Sequence, residues 1–296
     1  MKPQPISYHA PLDARAIVDE LIVERAPKLA SSLVWPLAKP CLNLLLGYNK
    51  AIDLVASIAD LGGHEALRLV SDRLSLNTSV INLQRIPKSG ACVVVCNHPT
   101  GIADGIAVYD TIKAIRDDAI FFANADALRV SPRLGEAVIP VEWVESKRTR
   151  EKTRATLQAA RQAFEEQRCV VVFPAGRLAR REANGCLIDP SWMPTAISMA
   201  QKHSAPCLPM HLKGPNSFWF HAFAAISAEL RDITLFHEFL NKAGKDFVLT
   251  IGPLIEPSQL HGEAVAITNS LKEYVEKRLE TNPDLVFEGL EKHEEQ

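Results

Sequence analysis

Polar and apolar residues change their rhythm partway along the chain. Residues 12–27 place Leu12, Ile17, Leu21 and Ile22 at helical spacing among acids and bases, which predicts an amphipathic helix. Residues 28–62 are richer in Leu, Val, Trp and Ala, with prolines inside, and predict two or three short apolar helices. From about residue 78 short β-rich runs alternate with helical patterns. Strands are predicted at Val80–Leu83, Ala91–Cys96, Ala119–Ala123, Ala137–Val141, Cys169–Phe173, Ala205–His211 and Phe247–Ile251. Helices are predicted from Asp104 to Ile115, over 147–167, over Trp192–His203, and over 263–280 with Ile267, Leu271, Tyr274, Val275 and Leu279 on one face. Solidly apolar strands between helices belong to a sheet covered on both faces. The expected fold is therefore α/β, a largely parallel sheet flanked by helices, with a helical cap at the N-terminus. The expected division is a helical segment at 1–77, the main domain at 78–285 and an acidic, fraying tail at 286–296.

The first segment has two readings: a cap on the core, or a surface that dips into a membrane interface with Trp35 and Tyr48 as anchors. No apolar run reaches the roughly 18 residues of a membrane span. The nearest approach, Leu33–Tyr48, is broken by Pro36, Lys39 and Pro40.

Composition narrows the functional classes. Apolar residues make up 47% of the 296, enough for a large core, and the net charge of −2 argues against a nucleic-acid binder. The six cysteines form no Cys-x-x-Cys pair and no zinc spacing. Cys92, Cys96, Cys169 and Cys207 lie in or beside apolar runs and are expected to be buried thiols, which suits a reducing, cytoplasmic setting. No secretory signal is visible at the start.

Two strand ends carry chemistry. The run Val93–Cys96 leads straight into Asn97-His98-Pro99-Thr100-Gly101-Ile102-Ala103-Asp104-Gly105. Ligands in open α/β sheets bind beyond the carboxyl ends of strands. An aspartate returned to one imidazole nitrogen fixes the tautomer and frees the other nitrogen to take a proton. Such a pair suits activation of a substrate hydroxyl, although the same residues could be a helix entry with Asp104 as its cap. The second end, Cys169–Phe173, runs into Pro174-Ala175-Gly176-Arg177 and then Arg180 and Arg181. Guanidinium groups there could hold an anion, or be a solvated basic loop. No Gly-x-Ser-x-Gly elbow, P-loop or Gly-x-Gly-x-x-Gly follows a strand, which sets aside serine hydrolases and nucleotide-binding enzymes.

The order of these segments resembles the glycerolipid acyltransferase superfamily, which includes lysophosphatidate acyltransferase, and most closely its bacterial hemolysin-like or lyso-ornithine-lipid branch. The motifs carrying the resemblance are His98…Asp104, Leu134–Pro140, Phe173-Pro174-Ala175-Gly176 and Leu208-Pro209-Met210-His211, within residues 78–256. The resemblance implies an O-acyltransferase. His98 and Asp104 would be catalytic, and Asn97, Thr100, Gly101, Phe173, Pro174, Gly176, Arg177 and Arg180 would bind substrate. Acyl carrier protein or acyl-CoA would be the donor and a lyso-lipid the acceptor. It implies no metal and no cofactor, no nucleic-acid partner, and peripheral attachment to the inner face of the cytoplasmic membrane. In such a reaction His98 takes the acceptor's proton, the alkoxide attacks the thioester, and the Gly101 loop or the Pro174–Gly176 turn are candidates to hold the oxyanion. The segments Leu33–Gly47 and Phe218–Phe223 are the candidates for acyl or membrane contact, with core packing the other reading of the second.

Three departures from the superfamily's pattern stand out, and the resemblance implies that the Glu and Arg residues missing in two of them serve a glycerol-phosphate acceptor. Five residues separate His98 from Asp104 where the superfamily usually has four, a wording closer to the hemolysin-like branch. Ala175 stands where the third motif has Glu, and Leu178 where it ends in Arg. Val141 follows the second motif where many members have Arg. A lyso-aminolipid becomes the better acceptor. The alternative is a catalytically degenerate lipid-binding or scaffold protein of the same fold.

Overall fold

The computed structural model describes residues 13–142, 147–181, 187–215, 223 and 227–289, with the side chains of Arg181, Ala228, Leu235 and Phe236 excepted. Residues 216–222, most of the aromatic stretch named above, lie outside the described residues, as do Cys186 and the tail from residue 290.

The strands are β1 (Asn77–Ile81), β2 (Cys92–Cys96), β3 (Ala119–Asn124), β4 (Val138–Val141), β5 (Cys169–Val172), β6 (Arg180–Arg181), β7 (Leu187–Ile188), β8 (Cys207–Lys213) and β9 (Asp246–Ile251). Seven of them form one sheet in the order β1-β9-β8-β2-β5-β3-β4, and β6 pairs with β7 in a small ribbon. Every pair in the large sheet is parallel except β8 with β9. All five residues of β2 are buried, as expected of a strand covered on both faces. Its side chains alternate by the strand period: Cys92, Val94 and Cys96 join one core, and Val93 and Val95 the other.

The helices are α1 (Ala14–Arg25), α2 (Pro27–Ala30), α3 (Trp35–Leu45), α4 (Tyr48–Ile58), α5 (Gly63–Leu74), α6 (Ile102–Lys113), α7 (Asp126–Val130), α8 (Arg150–Glu165), α9 (Thr195–His203), α10 (Ala228–Ile233), α11 (Leu235–Leu240) and α12 (Ala264–Glu273). α5 and α6 cover one sheet face, through Ala66, Val70, Ile106 and Ile112. α8, α9 and α12 cover the other, through Phe164, Ile197, Ile267 and Leu271. The N-terminal helices α1 and α4 make a small core of their own around Val18, Ala51 and Val55.

Several boundaries differ from expectation. α5 adds a helix beyond residue 62, within the helical segment expected over 1–77. The Gly62 N–H is satisfied by the Glu65 carboxylate and the Gly63 N–H by Glu136, both 3.0 Å away. The first strand ends at Ile81 rather than Leu83, because Asn82 takes a left-handed conformation (φ 66°) and Leu83–Arg85 forms a 3₁₀ turn. The helix expected from residue 192 begins at Thr195, behind Pro194. Tyr48 is buried, with its hydroxyl donating to Asp19 at 2.9 Å, so it is a packing residue rather than an interfacial anchor. Cys92, Cys96, Cys169 and Cys207 are buried free thiols, while Cys41 is exposed.

Candidate active site

The chain leaves β2 through α6, builds β3 and β4 on one side, returns through α8 to lay β5 against β2, and then crosses through α9 to lay β8 on the other flank of β2. That reversal makes β2 the switch point of the sheet, and α/β sheets bind ligands beyond the carboxyl ends of strands at such a point. His98 stands there, two residues past β2.

The His98–Asp104 pair forms. Asp104 is the third residue of α6 rather than its cap, because the helix starts at Ile102 behind Gly101, whose φ of 100° only glycine adopts at ease. The turn brings Asp104 Oδ2 to 3.0 Å from His98 Nδ1. The same oxygen accepts the N–H groups of Thr100 at 2.8 Å and Gly101 at 3.0 Å, and the Thr100 hydroxyl donates to Oδ1. Asp104 is fully buried and the His98 side chain 17% exposed. A carboxylate only accepts, so Nδ1 donates to Asp104, and in the neutral ring Nε2 is the nitrogen left to take a proton. The ring of Phe173, just past β5, packs against the imidazole with centroids 4.6 Å apart.

Two elements hold the His98 peptide that sequence reasoning did not find. Asp189 accepts the His98 N–H with both carboxylate oxygens, each at 3.1 Å, and also accepts the Trp192 indole N–H at 2.9 Å. On the other side, the Ala179 N–H donates to the His98 carbonyl at 3.0 Å. Ala179 and Asp189 flank the β6–β7 ribbon, so the ribbon clamps His98 through its backbone. The Asp189 N–H in turn donates to Glu276 at 2.7 Å. The local signal is an aspartate in Asp-Pro-Ser-Trp between apolar runs, but its partner lies far upstream.

The other named residues take these places. Asn97 is buried and links β2 to β8, its amide donating to the Leu212 carbonyl at 2.9 Å and accepting the Leu212 N–H at 2.6 Å. Pro174 is buried, with its carbonyl accepting from Met193 N–H at 2.9 Å. Gly176 has φ 60°, and its N–H donates to the Phe173 carbonyl at 3.0 Å. The N–H groups of Gly101 and Gly176 thus both have acceptors within the protein. A Cβ on Gly101 would lie 3.3 Å from the Leu178 side chain, so Leu178 closes over this loop. Arg177 and Arg180 are exposed and pair with no acid among the described residues. Among the described residues, no group of three or more His, Cys, Asp or Glu gathers to hold a metal ion.

Burial, opposed by the Trp192 hydrogen bond and reinforced by the Glu276 charge, pushes the Asp189 carboxyl up to about 6. Between the ordinary aspartate value and about 6, the native state then binds more protons here than the unfolded chain, so this group's contribution to stability falls as pH rises through that window. Urea unfolding should therefore show Asp189→Asn gaining on the parent between about pH 4 and pH 6.5, by an amount on the order of 2–3 kcal/mol. An equal pH slope in both proteins would remove Asp189 as the titrating group.

A histidine–carboxylate pair at a strand end, with no nucleophilic serine or cysteine in its motif, fits a group-transfer enzyme. Residues 77–213, a little under half of the chain, match the family model described as Acyltransferase, and the chain is similar to lipid O-acyltransferases. Two relatives have more particular names. A lyso-glycine lipid O-acyltransferase from Phocaeicola vulgatus is 27% identical over 64% of this chain and 68% of its own. Another of that name, from Bacteroides thetaiotaomicron, is 24% identical over 79% of this chain and 86% of its own. The crystal structure of the 1-acyl-sn-glycerophosphate (LPA) acyltransferase PlsC from Thermotoga maritima aligns over 90% of this chain and 96% of that one, at 15% identity and a TM-score of 0.47.

Proposed function

We propose that this acyltransferase moves a fatty acyl group from a thioester, on acyl carrier protein or coenzyme A, to the hydroxyl of a lyso-lipid, with lyso-glycine lipid the preferred acceptor. The observation that carries the reaction is the His98–Asp104 pair at 3.0 Å. The names of the two relatives carry the acceptor. In this reading His98 Nε2 takes the hydroxyl proton as the oxygen attacks the thioester carbonyl. The tetrahedral intermediate collapses with loss of the thiolate, which receives the proton from His98. One C–S bond breaks, one ester C–O bond forms, and no acyl-enzyme intervenes. Asp104 orients the ring and stabilises the transient imidazolium. Thr100 and Gly101 act through the Asp104 carboxylate, Asn97 fixes the loop between β2 and β8, and Phe173, Pro174 and Gly176 shape the wall beside the imidazole. Arg177 and Arg180 supply positive charge at the mouth. Leu178 over Gly101 is an apolar neighbour, which supports an acceptor whose head group carries no phosphate.

A lipid acceptor requires contact with a membrane surface. α3 supports this: Leu37, Cys41, Leu44 and Leu45 recur at helical spacing and are exposed, and Leu33 and Val34 precede them, also exposed. No helix among the described residues is long and apolar enough to cross a membrane. In this reading α3 lies in the inner face of the cytoplasmic membrane and the rest of the domain stays in the cytoplasm.

The test is transfer of labelled palmitate from its thioester to a set of lyso-lipids: lyso-glycine lipid, lyso-ornithine lipid, lysophosphatidate and a deoxy analogue of the first. The expected result is one major product, from lyso-glycine lipid, with none from the deoxy analogue and with the label released by mild alkali as an ester. Alkali-stable product would indicate N-acylation, and preference for lysophosphatidate would overturn the acceptor. Lipid binding without any transfer would favour the scaffold alternative.

A further inference from the structure

α8 breaks the usual placement of charge along a helix. Arg150 opens it and Arg154 follows one turn later, both exposed. The start of a helix favours anions, and like charges four residues apart repel. Arg148 comes just before the Thr149 cap, its guanidinium held on the Glu142 carbonyl at 3.0 Å. The neighbouring Lys147 and Lys152 are paired with Glu24 and Glu142. Arg150 and Arg154, in contrast, pair with no carboxylate among the described residues. Glu151 is the acid of the first turn, about 100° round the helix from Arg150. A local arrangement that costs stability without a compensating partner marks a functional surface.

The stripe is also apolar at its centre. Leu157 is 59% exposed and shares the helical face of Arg150, Arg154 and Arg161. The exposed surface along this face runs from Arg148 past Arg154, Leu157 and Arg161, with Lys202 of α9 beside its far end. Arg161 is paired with Glu165, which leaves the first half of the stripe the more positive. The chain as a whole is slightly acidic, so this stripe is a local concentration of charge.

Position selects the occupant. α8 packs on β4 and β5, and its start follows the carboxyl end of β4, the sheet edge that carries His98. β4 and β5 lie one to three strands from β2, roughly 5–15 Å across the sheet. α8 belongs to the core on one sheet face, whereas α4, on which α3 packs, joins the core on the opposite face through Leu54 and Ile58. Spaced guanidinium groups around an exposed leucine match carboxylates spaced along an amphipathic helix.

We propose that the α8 stripe docks an acidic protein helix, that of an acyl carrier protein presenting the acyl thioester to His98; this rests on the acyl-transfer reading above. The probe is fluorescently labelled holo acyl carrier protein without an acyl chain, titrated against the parent and an Arg150→Glu/Arg154→Glu variant. The expected result is binding that weakens with salt and falls about tenfold or more in the variant. The variant should melt no lower than the parent, since glutamate suits a helix start. Its transfer from palmitoyl-CoA should be unchanged, while its KM for palmitoyl carrier protein rises. Equal carrier binding by both proteins, or none by the parent, would overturn the proposal. So would a variant that loses binding to phosphatidylglycerol vesicles or to RNA rather than to the carrier. Stripe-dependent carrier binding with no acyl transfer from either donor would sink the acyl-transfer reading and leave the docking surface standing.

Discussion

His98→Ala lowers acyl-transfer turnover by about 10²–10⁴-fold, the range for loss of a positioned general base, while the protein stays folded. The contrast follows from the surroundings of the two partners. The imidazole is partly exposed, and its one hydrogen bond in the structure goes to a carboxylate that accepts from three other donors. Removing the ring leaves the buried Asp104 charge still bonded to Thr100 and Gly101. The stability loss is then about 1 kcal/mol, mostly from lost packing on Phe173 and one hydrogen bond. Steady-state transfer and a melting curve on the same preparation check both halves. A variant that melts far below the parent would show that the loop depends on the imidazole, and its lost activity would say little about proton transfer.

Asp104→Ala behaves in the opposite way and costs both properties. The carboxylate is fully buried, and its removal orphans the N–H groups of Thr100 and Gly101 and the Thr100 hydroxyl at the start of α6. At about 1–3 kcal/mol for each buried donor left unsatisfied, a total loss on the order of 3–5 kcal/mol is expected, partly relieved by water entering the space. Turnover falls about as far as in His98→Ala, because the imidazole loses its orientation. The double variant should be hardly slower than either single one, since the two groups act as a unit. Urea unfolding measures the first effect and steady-state kinetics the second. Independent, multiplying losses in the double variant would mean that the two residues serve different steps.

How much of this was legible in the sequence depended on chain distance. The His98–Asp104 pair could be read because strand, loop and helix start form one local unit, and Gly101 marks its sharp turn. The sheet could be read from runs such as Val93–Cys96, whose unbroken apolarity requires cover on both faces. Asp189 could not be, because it reaches His98 from 91 residues away and acts on a backbone N–H, which leaves no side-chain pattern. α5 lies inside the expected helical segment, but its start was not legible because its two glycines are capped by carboxylates, one of them Glu136 from a distant turn. Tyr48 reads as amphipathic in isolation, and only its packing against α1 buries it. The arginines of α8 were visible as charge, but whether each had a partner depended on tertiary neighbours such as Glu24.

The most direct test of the central claim is single-turnover transfer of labelled palmitate from its thioester to lyso-glycine lipid, run side by side with the parent and with folded His98→Ala protein, followed by a search for label on the polypeptide. The account predicts ester product in the parent, product at or near the uncatalysed background in the variant, and no label held by the protein in either. Undiminished transfer by His98→Ala, or acyl label trapped covalently on the parent chain, would contradict it.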